Sequence, residues 1–219
     1  MILLLCSQDL YSLYGQAAPA HSEEWNGTNW SAGPDGGAGV NGSYASGTSN
    51  AAIIVGGTNG SGHSQNCVFE WNGSTFVAGG SMPTGRAAHG QAGTQNAAYS
   101  YGGRLTPNSL TETTIKYNGT SWSADVNLPS QQRLHAGAGT QNAALAFGGV
   151  EIPPGAGRVT GATELWNGTN WISENIMSSA RDQLSGAGTT TSSLAFGGNP
   201  AGTATEEWVG SGETTETID

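Results

Sequence analysis

One distance recurs four times in this 219-residue chain. The phrase aromatic-Asn-Gly begins at Trp25, Trp71, Tyr117 and Trp166, and 31 residues after each aromatic comes a Gly-Gly pair, starting at Gly56, Gly102, Gly148 and Gly197. A Gly-Thr sits nine residues ahead of each pair, at Gly47, Gly93, Gly139 and Gly188. The aromatics are spaced by 46, 46 and 49 residues, and by 42 to a worn copy at Trp208-Val209-Gly210. All the variation lies between Gly-Gly and the next aromatic, in stretches of 15, 15, 18 and 11 residues. Such a chain is a series of rigid elements of fixed length, each carrying one surface loop that is free to vary.

Within a unit the punctuation is that of strands. In the third, "GQAGT" and "NAAYSYGG" are followed by a variable loop, then "TTIKY", Asn-Gly and "TSWSA". Four short runs bounded by Gly or Asn-Gly, in forty-odd residues, make one four-stranded propeller blade. The stretch Cys6–Gly15 overlays Gly93–Gly102, so the chain opens with a degenerate unit. The reading is all-β: a single β-propeller of about five four-stranded blades in one domain, 1–219, with blades at about 1–32, 33–78, 79–124, 125–173 and 174–219. The Gly- and Ala-rich first strands suit crowding at a narrow axis, and "ILLLC" at the same place in the opening unit reads as a bulkier plug. The closing "ETTETID" lacks the tryptophan and suits an exposed outer edge.

Asn-Gly between two β-runs is a hairpin signal. A two-residue turn pairs Trp25 with Thr28, whereas a four-residue loop sets Trp25 opposite Trp30. Either puts both rings on one sheet face, where they can fill the gap between blades. The six Asn-Gly-Ser/Thr triplets, at Asn26, Asn41, Asn59, Asn72, Asn118 and Asn167, are accordingly read as turns rather than glycan acceptors.

Composition narrows the classes. Thirty-six glycines disfavour long helices, and seven Trp, six Tyr and four Phe disfavour disorder. With six Lys and Arg and a net charge of −10, the chain lacks the basic face of a nucleic-acid binder. No apolar run approaches the roughly 18 residues of a membrane span, and "MILLLC" is short for a signal core. An extracellular or virion-associated setting is favoured. Cys6 and Cys67 fall on opposite ends of strands, roughly 17 Å apart, and are expected as free thiols.

The residues "YSYGG", Tyr117, Trp122 and Leu128-Pro129, with Met82-Pro83 before Arg86 and Met177 before Arg181, resemble kelch repeats. The likeness covers nearly the whole chain, although the aromatic-to-Trp gap is shorter than is usual in kelch. "AGTQNAALAFGG" followed by "TELWNGTNW" also resembles repeat arrays of marine phage and environmental sequences, which look like fibre or adhesion modules. A kelch likeness implies fold with good specificity and function with almost none.

No nucleophile–base pair or metal set converges, so no catalytic residues, metal or cofactor are expected and the chain reads as a non-enzyme. His89 and His135 share one repeat position and read as structural; Glu24, Glu70, Glu164 and Glu207 read as a solvated face. The arginines are the one functional pattern. Arg86 and Arg181 share a position and Arg133 lies one residue out of register, with Gln132 in the matching slot; all three open first strands. Arg104 and Arg158 lie in variable loops. In a meander both kinds of connection fall on one face, so five of six basic residues gather there. They either brace their own loops or line a pocket at the axis mouth that takes an anion or polar sugar. The expected function is a binding module for a glycan or cell-surface protein acting through this face; the alternative is a structural or interaction domain such as a phage fibre component.

Overall fold

The computed structural model describes residues 22–36, 40–107, 109–152, 157–200 and 202–210, and the backbone of 216–218. These residues form an all-β structure with no helix. Four of the sequence units each fold into a four-stranded antiparallel sheet in simple chain order. The second unit contributes Tyr44–Thr48, Ala51–Val55, Val68–Trp71 and Phe76–Ala78. The third contributes Gly90–Thr94, Ala97–Tyr101, Thr114–Tyr117 and Trp122–Asp125. The fourth contributes Ala136–Thr140, Ala143–Phe147, Thr163–Trp166 and Trp171–Glu174. The fifth contributes Ser185–Gly188, Ser193–Phe196, Thr205–Trp208 and Glu216–Ile218. Of the first unit the described part is the hairpin Glu23–Trp25 with Trp30–Ala32. The readings of "ILLLC", of Cys6 and of the overlay Cys6–Gly15 lie outside the described residues.

The hairpin adopts the four-residue loop: Trp25 pairs with Trp30, Trp71 with Phe76, Tyr117 with Trp122 and Trp166 with Trp171. The two-residue alternative fails for a local reason. It needs positive φ at both central residues, and here only the glycine has it, as at Gly27 (98°) and Gly168 (90°). The asparagine instead uses its side chain: Asn167 Oδ1 accepts from the amides of Thr169 and Asn170, each at 2.9 Å, and Asn26, Asn72 and Asn118 do the same. Paired rings then touch on one face, with centroids 4.9 Å apart for Tyr117 and Trp122 and 5.7 Å for Trp166 and Trp171.

Those rings help build the core, which lies between successive sheets. Between units two and three it gathers Ile53, Val55, Val68, Met82, Ile115 and Tyr117, with Trp122 against them. Between three and four it is Tyr99, Tyr101, Leu128, Ala146 and Trp166, with Trp171; between four and five, Leu145, Phe147, Met177, Leu184 and Trp208. Polar latches cross the same gaps. Gln141 Nε2 donates to Ala98 O (3.0 Å) and Tyr117 O (2.7 Å), and Gln95 Nε2 does likewise to Ala52 O and Trp71 O. A glutamine at one repeat position thus ties two strands of the preceding sheet.

First strands adjoin one another, and this explains their small residues. Gln91 Nε2 reaches Ser46 Oγ of the previous unit at 2.9 Å. A methyl added at Gly137 would collide with the Gln91 backbone and the Tyr101 hydroxyl.

The reading of the recurring glutamates as a solvated face needs correction. Glu164 is buried, its carboxylate accepting from Ser173 Oγ and held above the usual carboxylate range by burial. Half-buried Glu70 accepts from the Tyr117 hydroxyl of the next unit at 2.6 Å.

Candidate functional site

The connections between second and third strands and those leading into each first strand meet around the Gly-Gly pairs. The reason is steric. The second glycine of each pair, at φ near 100°, donates its amide to a carbonyl of the following unit: Gly57 to Arg86, Gly103 to Gln132 and Gly149 to Arg181, at 2.9, 2.6 and 2.7 Å. A side chain at Gly56 would run into Arg86 O, and one at Gly103 would lie 2.7 Å from His89 Cβ. Only glycine permits this approach.

Two residues beyond those carbonyls the chain forms a feature that links the units in series. Ala88 N donates to Gly42 O (2.9 Å), Leu134 N to Ala88 O (2.8 Å) and Gln183 N to Leu134 O (2.9 Å). All four occupy one repeat position, fourteen before Gly-Gly, and all four have φ between 52° and 64°. Single αL residues are unusual outside Gly, Asn and Asp, so three of these four hold a costly conformation in exchange for the unit-to-unit bond. Sequence reasoning missed this row. Gly42 was its one visible hint.

Beneath it lie the histidines. His89 and His135 are fully buried. His89 contacts the Tyr44 ring at 5.3 Å between centroids and His135 stacks on Tyr101 at 5.6 Å. None of their ring nitrogens has a partner in hydrogen-bond geometry. Burial holds His89 well below the ordinary histidine value, with the positive Arg86 and, when it is protonated, His135 adding to the effect. Burial likewise lowers His135 to about 4, partly offset by the nearby backbone of Tyr101 and Arg133. Both are neutral at pH 7. Among the described residues no group of three or more His, Cys, Asp or Glu could hold a metal ion.

The five arginines divide. Arg86 is 3% exposed; its Nη1 donates to Thr113 O (3.0 Å) and Gly102 O (3.3 Å), its Nη2 to Thr113 Oγ1 (3.1 Å). Arg181 is wholly buried; it donates to Ala204 O (3.2 Å) and Ala195 O (3.3 Å), and pairs with Glu206 at 3.0 Å. These two brace the loop of their own sheet. Gln132, at the matching position of unit four, is also buried and bonds Ser130 Oγ. Arg104, Arg133 and Arg158 reach solvent to different degrees. Arg104 donates to Gly62 O at 3.4 Å; in return Ser64 of that loop donates its hydroxyl to Arg104 O and its amide to Thr106 Oγ1. Arg158 pairs with Glu151 at 3.4 Å across the ribbon Val150–Glu151 with Arg158–Val159, against which Gln132–Arg133 also pairs. The loops are therefore structured, and these two are built differently. Cys67, a half-buried free thiol raised by burial, lies just before a third strand.

No family model matches the chain, and no curated protein matches it. Among solved structures it is similar to YjhT, with a TM-score of 0.73 over 91% of this chain and 75% of that one, at 11% identity. At that identity the likeness concerns the fold alone.

Proposed function

We propose that the chain is a five-bladed, kelch-like β-propeller serving as a non-enzymatic binding module. It recognises a glycan or surface partner through the face carrying the second-to-third-strand and fourth-to-first-strand connections. The observation that carries this reading is the contrast between frame and loops. The distance from aromatic to Gly-Gly is constant, while the loops after Gly-Gly differ in length and form their own small ribbons. Scaffolds that hold variable loops on constant strands present binding surfaces.

Within that face the roles of the arginines differ. Arg86 and Arg181 shape the connections from inside, since their guanidinium groups are occupied by carbonyls and Glu206. Arg104, Arg133 and Arg158 supply the basic groups that a ligand meets. Arg133 stands next to Leu134 in the αL row that bonds the units in series. A glycan-array screen of the protein tests this. Arg133→Ala with Arg158→Ala should remove a hit while leaving the melting temperature within about 2 °C of the parent, as expected for surface changes. A hit that survives the double substitution places binding elsewhere. A protein that binds no glycan but captures a defined surface protein, with the same loss in the double variant, favours the interaction-domain reading as a structural or fibre component.

A further inference from the structure

Two of the three wedges between successive four-stranded sheets close on an indole. Trp122 Nε1 donates to Gly80 O at 2.8 Å, and Trp171 Nε1 donates to Val126 O at 3.1 Å. Each indole belongs to the fourth strand of one unit, and each acceptor lies nine residues after the third-strand aromatic of the preceding unit, Trp71 or Tyr117. Counting nine from Trp166 leads to Asn175. Among the described residues no such ring enters the wedge between units four and five. The stretch Val209–Asp219 contains no aromatic residue, and Glu216–Ile218 within it supplies the fourth strand there.

At that place lies a cleft. Phe147, Met177, Ala195 and Trp208 form its apolar walls, and Asn175 lines it at the position of the indole acceptors. One polar group sets it apart from the other wedges. Ser193 stands where the earlier units have Ala52, Ala98 and Ala144; its hydroxyl is buried and has no hydrogen-bond partner. Glu206, at the repeat position that Glu164 holds in unit four, also lines the cleft and is tied to Arg181 and to the amide of Ser178 at 2.7 Å. A buried hydroxyl without a partner is costly unless something meets it. Aromatic walls with a few convergent polar groups describe a small-molecule pocket.

We propose that this cleft binds a small planar aromatic group carrying a ring N–H, of the indole class. The ring takes the place that Trp122 and Trp171 take in the preceding wedges, with its N–H directed to the backbone at Asn175. The proposal does not depend on the loop face being a binding surface.

Isothermal titration with indole, and with indene as a ring of the same shape lacking the N–H, tests the proposal on the intact chain. Indole should bind saturably and indene about 10-fold more weakly, the equivalent of one hydrogen bond of about 1.4 kcal/mol. Ser193→Ala should weaken indole several-fold without lowering the melting temperature, because alanine is the residue of the other three units. Ala195→Leu, which fills the cleft, should abolish binding. N-acetyl-tryptophanamide and a short peptide with a central tryptophan separate the sources: tighter binding of the peptide assigns the site to a partner's side chain, tighter binding of free indole to a small metabolite. Absence of saturable indole binding, equal affinity for indene, or indole binding unchanged in both variants overturns the proposal.

Discussion

Acidification should destabilise this protein through the two buried histidines, and the size of the effect follows from their burial. An unfolded histidine titrates near 6.5, and His135 in the folded chain titrates at about 4. Between those values the unfolded chain binds a proton that the folded chain does not. Stability therefore falls as pH drops through 6.5 and stops falling below about 4. From pH 7 to pH 5 the loss from His135 alone is about 2 kcal/mol. In a domain of this length that lowers the melting temperature by about 4–8 °C. His89 acts in the same direction, since burial and the nearby charge of Arg86 hold it well below the ordinary value. Glu164 works against them, because its raised carboxyl pKa makes the folded chain the better proton binder in its own range. The comparison that isolates the histidine is His135→Leu, which copies Leu184, the buried residue at the same repeat position in unit five. Thermal melts followed by near-ultraviolet circular dichroism at pH 5, 6 and 7 should show the parent losing stability with acid and the variant losing about 2 kcal/mol less. Parallel pH slopes in the two proteins would refute the assignment of the acid sensitivity to His135.

Three further outcomes follow from packing and pairing. Gly90→Ala should cost about 1–3 kcal/mol, measured by urea unfolding, because the added methyl would meet the Tyr101 ring and lie 2.5 Å from His135 Nε2. Arg181→Met should cost about 3–5 kcal/mol by leaving Glu206 buried beside no cation, and the double variant with Glu206→Leu should recover much of that loss. Gln141→Leu removes the donor from the carbonyls of Ala98 and Tyr117, so it should cost about 1–3 kcal/mol, and Gln95→Leu should behave alike in the preceding gap; a neutral result in both would deny the glutamine latch.

How far the sequence could be read depended on whether a feature repeats. The strands and their chain order were legible because Gly-Gly, Gly-Thr and aromatic-Asn-Gly recur at constant spacing, and each has a local conformational reason. The hairpin shows the limit of that legibility. Asn-Gly marked the turn, but the choice between a two- and a four-residue loop rested on the asparagine side chain capturing two amides, which the dipeptide alone does not disclose. Arg86 and Arg181 stood out as shared positions, yet the sequence left open whether they brace loops or line a pocket. Their carbonyl partners, Thr113 and Ala204, lie 27 and 23 residues away and are brought together by the loop itself.

The repeat by itself determined that the chain is all-β in four-stranded units, where its turns fall, and which stretches are free to vary, because period and turn chemistry are local properties of the backbone. Tertiary structure alone decided what lies between units: the αL row Gly42, Ala88, Leu134 and Gln183, the unpaired buried histidines, the buried glutamates, and the wedge that receives no indole from the described residues. These depend on residues about one period apart meeting face to face, and burial there sets charge state and partner where the side chain's type does not.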